Sequence, residues 1–318
     1  MSQEEQLDTE KKTKKKKGRV GRPPKERPKN VKPRHGIVDS PSEKTAIVEF
    51  IYDVPFVMKK IWSLFKSLGV DRIQFICRPD SIIMWAKCHH GKNRVRIKFD
   101  CNKVNQYYVK DEIDIGFCSQ DLEPIMNMID KTYHIVNFAI LDGQAQKNFW
   151  VVFKNESLID EHHKIDVVGE YDHMDSEEEF LDEDHKIKFV LKGRYFKKTI
   201  ADIKTMSKKM FITKNGNYSL MFKYNSDQNK VESTHVIRDS ESIKLRSTVG
   251  EHEMFRVGFL LDTVKPFSSV FSDDYIRIHA DENKDLLFIS TMDRGAIEIR
   301  ILSEIIRDKP VETPAVST

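Results

Sequence analysis

Ammonium groups repeated along one face of a helix can neutralise a row of phosphates without reading the bases attached to them. Two segments of this sequence offer that chemistry. Between Pro55 and Leu68, apolar Val57, Ile61, Leu64, Phe65 and Leu68 recur at helical spacing, and the other side holds Lys59, Lys60, Ser63 and Lys66 with no acid. A second stripe, Phe196, Ile200, Ile203 and Met206, is accompanied by Lys192, Arg194, Lys197, Lys198, Lys204, Lys208 and Lys209, offset only by Asp202. Exposed helix faces are often lysine-rich for solubility alone. Matched positions within a repeated pattern turn the reading toward a shared phosphate-binding surface, provided that the repeat sets the two helices side by side, with sequence-independent, salt-sensitive binding to double-stranded DNA.

Other chemistries find little support. The sequence contains no Gly-Lys-Ser/Thr phosphate loop, no Gly-x-Ser-x-Gly elbow and no His-Glu-x-x-His pair. Pro79-Asp80 opens like a nuclease motif, but Ala86-Lys87 lacks the partner carboxylate. Asp281, Asn283 and Asp285 begin like a calcium loop, yet Leu286 occupies the place of the turn glycine, so a polar hairpin is expected. His162-His163 and Cys88-His89-His90 hold adjacent strand residues that point to opposite faces. The four cysteines, Cys77, Cys88, Cys101 and Cys118, lack metal-site spacing and read as reduced thiols. The expectation is a protein with no enzymatic activity, no cofactor and no metal.

The elements that must position the lysines follow from periodicity. Strand-like stretches at 46–52, 71–78, 81–88, 93–101 and 112–118 surround the first helix, then a helix from Asp121 to Asp130 leads into strands at 134–141, 148–154 and 163–168. The order then recurs. A strand at 186–191 precedes the second basic helix, followed by strands at 209–214, 217–224, 231–238 and 253–258, a helix from Leu260 to Phe271, and strands at 274–280, 285–291 and 295–302. The economical reading is an α+β fold built from a duplicated domain. The expected organisation is a basic tail at 1–44, a first domain at 45–168, a connector at 169–185, a second domain at 186–303 and a C-terminal tail at 304–318. Nine acids and no Lys or Arg between Glu170 and Asp184 mark the connector.

Net charge is +3, but thirteen Lys or Arg stand against Glu26 alone between Lys11 and His35, so the rest of the chain is acidic. No apolar run reaches the length of a membrane helix, and the charged N-terminus lacks the apolar core of a signal peptide. A soluble intracellular protein without a membrane partner is expected.

Val48-Glu49-Phe50 with Pro55 to Leu68, Asp114-Ile115-Gly116-Phe117, the acidic connector, Phe196 to Ile203, and Phe259-Leu260-Leu261 resemble the PCNA-type DNA sliding clamps over about residues 45 to 303. The similarity is greatest to the PCNA-like proteins of large double-stranded DNA viruses, which places the expected site of action in the host cytoplasm, the nucleus or both. The resemblance implies two similar domains per subunit and a homotrimeric ring with helices lining the hole. Strands 163–168 and 231–238 would join neighbouring subunits. It further implies that Lys59, Lys60, Lys66, Lys198 and Lys204 face DNA, with Lys131, Lys197 and Lys208 nearby. The second helix departs from the family in having Pro124 and Asn127 at DNA-facing positions, and the fourth offers Lys265 beside Asp262. Clients, a DNA polymerase among them, would insert a short peptide into a pocket formed by Trp85, Val95, Val167, Val168, Tyr171, Ile301 and Leu302.

Gly18-Arg19-Val20-Gly21-Arg22-Pro23-Pro24-Lys25 resembles an AT-hook, in which proline presets an extended backbone and arginine enters a narrow minor groove. Arg19, Arg22 and Lys25 are its candidate DNA contacts. Lys14 to Lys17 also suffice for a nuclear localisation signal. Two alternatives keep their own tests: a processivity factor of this fold that forms no ring, and a chromatin or transcription protein in which the tail dominates.

Overall fold

A computed structural model of the chain describes residues 46–88, 93–104, 106–141, 148–155, 160–166, 185–215, 219–225, 232–237, 244–270 and 275–306. The first set of elements runs β1 (Ala46–Tyr52), α1 (Pro55–Ser67), β2 (Val70–Cys77), β3 (Ser81–Cys88), β4 (Asn93–Asp100), β5 (Gln106–Val109), β6 (Ile113–Cys118), α2 (Ser119–Met128), β7 (Tyr133–Leu141), β8 (Asn148–Asn155) and β9 (Asp160–Asp166). The second repeats it with β10 (Ile187–Lys192), α3 (Gly193–Lys204), β11 (Lys209–Asn215), β12 (Leu220–Asn225), β13 (Glu232–Ile237), β14 (Lys244–Ser247), β15 (Met254–Leu260), α4 (Leu261–Val270), β16 (Tyr275–Ala280), β17 (Leu286–Met292) and β18 (Ile297–Ser303).

Local signals explain the boundaries. Pro55 opens α1 at a position where its missing N–H is not needed. Gly69 closes it at φ +62, and its N–H reaches the Lys66 carbonyl at 3.0 Å. Only β5 and β14 were absent from the sequence expectation. Each is four residues long and forms an edge of a five-stranded arrangement, too short to show a period.

The strands form three sheets. One has the order β5-β1-β7-β8-β9, another β13-β12-β11-β15, and the third spans both sets as β14-β10-β16-β17-β18-β4-β3-β2-β6. The last is a five-stranded and a four-stranded sheet joined by antiparallel pairing of β18 with β4, from Ile297 opposite Phe99 to Ser303 opposite Asn93. Inward side chains of all three sheets and of all four helices belong to one buried apolar cluster that includes Phe50, Phe65, Phe99, Phe196, Val264 and Ile299. Tyr52 in β1 also donates to Asp293 at 2.7 Å, tying the start of one set to the end of the other. Gly258 in β15 is required by contact, since a Cβ there would come within 2.6 Å of the Phe211 ring.

Candidate nucleic-acid interface

The helices form a row in the order α2, α1, α4, α3, with α1 packed on α2 and α4, and α3 on α4. The two basic helices are therefore not side by side, because α4 stands between them. The duplication is visible in detail. Buried Met58, Trp62 and Phe65 of α1 correspond to buried Phe196, Ile200 and Ile203 of α3. The same register matches Lys59 with Lys197, Lys60 with Lys198 and Lys66 with Lys204. The ten-residue helices α2 and α4 both carry an internal proline at their sixth position, Pro124 and Pro266, which matches Glu123 with Lys265. Aligning those prolines is the sequence signal that could have exposed this exchange of charge.

The matched lysines have different partners. Lys59 Nζ donates to the carbonyls of Ile129 at 2.6 Å and Asn127 at 3.2 Å, so its ammonium caps the C-terminal end of α2. Lys60 lies over the Phe56 ring at 5.8 Å, and Lys66 is paired with Glu123 of α2. In the second set Lys204 is paired with Asp262 at 2.5 Å. Lys197 and Lys198 are exposed on α3, Lys265 is exposed on α4, Lys131 is exposed just past α2, and Lys208 is exposed at the entry to β11. Arg194 lies over the Tyr195 ring at 5.1 Å near the start of α3. Arg19, Arg22 and Lys25 lie outside the described residues.

Strand alternation decides the other candidate surface. Val95 and Ile301 face the main core and are 1% and 0% exposed, so they cannot line a pocket on the outer face. Trp85 and Leu302 do face outward, where with Leu287 and Ile289 they make a small apolar cluster separate from the core. Leu287 and Ile289 were missed in the sequence because β17 reads as a continuous apolar run with no marked side. Lys87 lies over the Trp85 ring at 5.9 Å, and Arg94 pairs with Asp285 at 2.5 Å along the same face. Val167, Val168, Tyr171 and the connector up to residue 184 lie outside the described residues. The same face carries a half-buried carboxylate: burial alone would raise the Glu298 carboxyl, but the Arg300 hydrogen bond at 2.8 Å and the Arg96 and Arg277 charges bring it below the usual range.

The strands expected at subunit joints are β9 and β13, each at the end of its sheet. Their observed spans, Asp160–Asp166 and Glu232–Ile237, differ by a few residues from 163–168 and 231–238. On β13, Val236 is 50% exposed. Asp281 Oδ1 accepts the Asn283 N–H at 2.9 Å in the turn between β16 and β17, the polar hairpin expected there.

No family model matches the chain. It is 24% identical over 292 residues to a protein of African swine fever virus described as uncharacterised, from a Kenyan pig isolate, covering 90% of this chain and 97% of the relative. The corresponding protein of a South African tick isolate is 25% identical over 293 residues, covering 90% of this chain and 97% of the relative. Among solved structures, PCNA from Thermococcus kodakaraensis superposes with a TM-score of 0.68 at 13% identity, covering 81% of this chain and 100% of the archaeal one. The repeated strand and helix order, the nine-stranded sheet shared by the two sets, and this likeness together give the chain the PCNA-type sliding-clamp fold.

Proposed function

We propose that this chain is a DNA sliding clamp of a viral replication system, which encircles duplex DNA and tethers a polymerase and other enzymes. The observation that carries the reading is the state of the sheet edges. Strand β9 occupies in the first set the place of β18 in the second, and β13 occupies the place of β4. Within the chain the β18 and β4 edges are joined into nine strands. Pairing β9 of one copy with β13 of the next would build the same nine-stranded sheet between subunits and cover both edges. Such head-to-tail pairing either closes or makes a filament, and a ring of three subunits would continue the helix row around a central hole.

Apart from Lys59, whose ammonium caps α2, the lysines of α1 and α3, with Lys131 and Lys208 at the helix margins, then face phosphates and no base. Contacts of this kind hold a duplex without fixing its position, as sliding requires. On the outer face, Trp85 and Leu302, 6% and 4% exposed above the covered Leu287 and Ile289, supply the floor of an apolar seat for an aliphatic or aromatic client side chain. Arg19, Arg22 and Lys25 add a minor-groove handle.

The mass in solution tests the ring. Light scattering should give about three times the 37.2 kDa chain mass. A monomer or dimer at micromolar concentration would replace this reading with that of a processivity factor that forms no ring.

A further inference from the structure

The repeat makes each half of the helix row a control for the other, and the two halves treat their lysines differently. Helices α1 and α2 hold Lys59, Lys60 and Lys66 against Asp121 and Glu123, whereas α3 and α4 hold five cations, Lys265 included, against Asp202 and Asp262. In the first half, Lys59 is bound to the end of α2 and Lys66 to Glu123. In the second, Lys204 is paired with Asp262, but Lys197 and Lys198 have no polar partner among the described residues, and the place of Glu123 is taken by Lys265.

We propose that the second half grips the duplex, with backbone phosphates seated in the groove between α3 and α4. The first half is then a charge-compensated stretch of wall over which the backbone passes. This rests on the clamp reading and specifies which part of the wall binds. The groove has a volume of about 290 Å³, with Ile200 and Ala201 along it and Lys197, Lys204 and Lys265 around it. Thr205 and Ser268 also line it, but their hydroxyls donate to the Asp202 and Lys265 carbonyls, both at 2.8 Å. The donors left for a ligand are ammoniums, which suit a phosphodiester oxygen and discriminate no base. A phosphate approaching the first half meets Glu123 and exposed Asp121, where the second half has Lys265 and an Asp262 already paired with Lys204.

The charge difference yields a test in the salt dependence of binding. Each phosphate neutralised contributes about 0.9 to the slope of log affinity against log salt. The full chain is titrated with a fluorescent linear duplex, onto whose free ends a closed ring can thread, across a salt series. Lys197→Ala with Lys265→Ala should lower the slope by about 1 to 2 for each subunit in contact with the backbone. Lys60→Ala with Lys66→Ala removes the same charge and should lower it by less than half as much. Glu123→Lys copies the second half onto the first and should raise it by about 0.9 for each subunit in contact, a gain that misfolding cannot imitate. Equal losses from the two double variants, or no rise with Glu123→Lys, would overturn the asymmetric grip while the clamp stands. A wild-type chain with no duplex affinity would overturn both.

Discussion

Replacing Lys59 with Met separates two roles that look alike in the sequence. The variant keeps most of the side-chain stem and removes the ammonium that caps the Asn127 and Ile129 carbonyls. A hydrogen bond to a charged donor contributes about 1.5 to 3 kcal/mol, and a cation at a helix C-terminus about 0.3 to 1 kcal/mol. The Asn127 contact is exposed, and water partly replaces it in the variant, so the net loss should be about 1 to 2 kcal/mol. With a urea dependence of about 3 kcal/mol/M, the unfolding midpoint should fall by about 0.5 M with an unchanged slope. Protein concentration is held constant, because assembly adds its own stabilisation. The assay pairs urea unfolding with the duplex salt series. The reasoning is refuted if the midpoint is unmoved while the salt slope drops by the full amount expected for one phosphate, since the ammonium would then serve DNA and not α2.

Three further outcomes follow from the same structure. Val236→Asp places a charge on the half-exposed edge strand β13 and should shift light scattering from the assembled mass toward one chain; an unchanged mass would remove β13 from the joint. Glu298→Gln should be less stable than the wild type above the ordinary carboxylate range of about 4.3, because the native carboxyl is held below it and its contribution is lost as pH falls through the native value. The gap between the two urea midpoints should therefore narrow from pH 7 toward pH 3, and a constant gap would count against the arginine cluster as its cause. Deleting residues 1–40 should reduce both the duplex affinity and its salt slope; a slope equal to that of the full chain would exclude the tail as a DNA contact, and a tail-less body with no affinity would favour the chromatin-protein alternative.

Much of this protein was legible from local pattern. Alternation at period two along Asn93–Asp100 and helical spacing along Pro55–Ser67 depend only on neighbouring residues, so the order of elements, the duplication and the basic faces of α1 and α3 could be read before any coordinates. Val95 and Ile301 show where that reading stops. Their period was visible, but which face of the sheet meets the helices depends on the pairing of β18 with β4, made between residues about two hundred positions apart. The fate of the lysines is likewise a long-range matter: Lys59, Lys66 and Lys204 take their partners from helices 57 to 70 residues further along the chain. The sequence by itself therefore determined which side chains could meet phosphate, because facing is set by backbone period. Only the tertiary structure decided which of them remain available, because an ammonium is captured by whatever acid or carbonyl folding brings within reach.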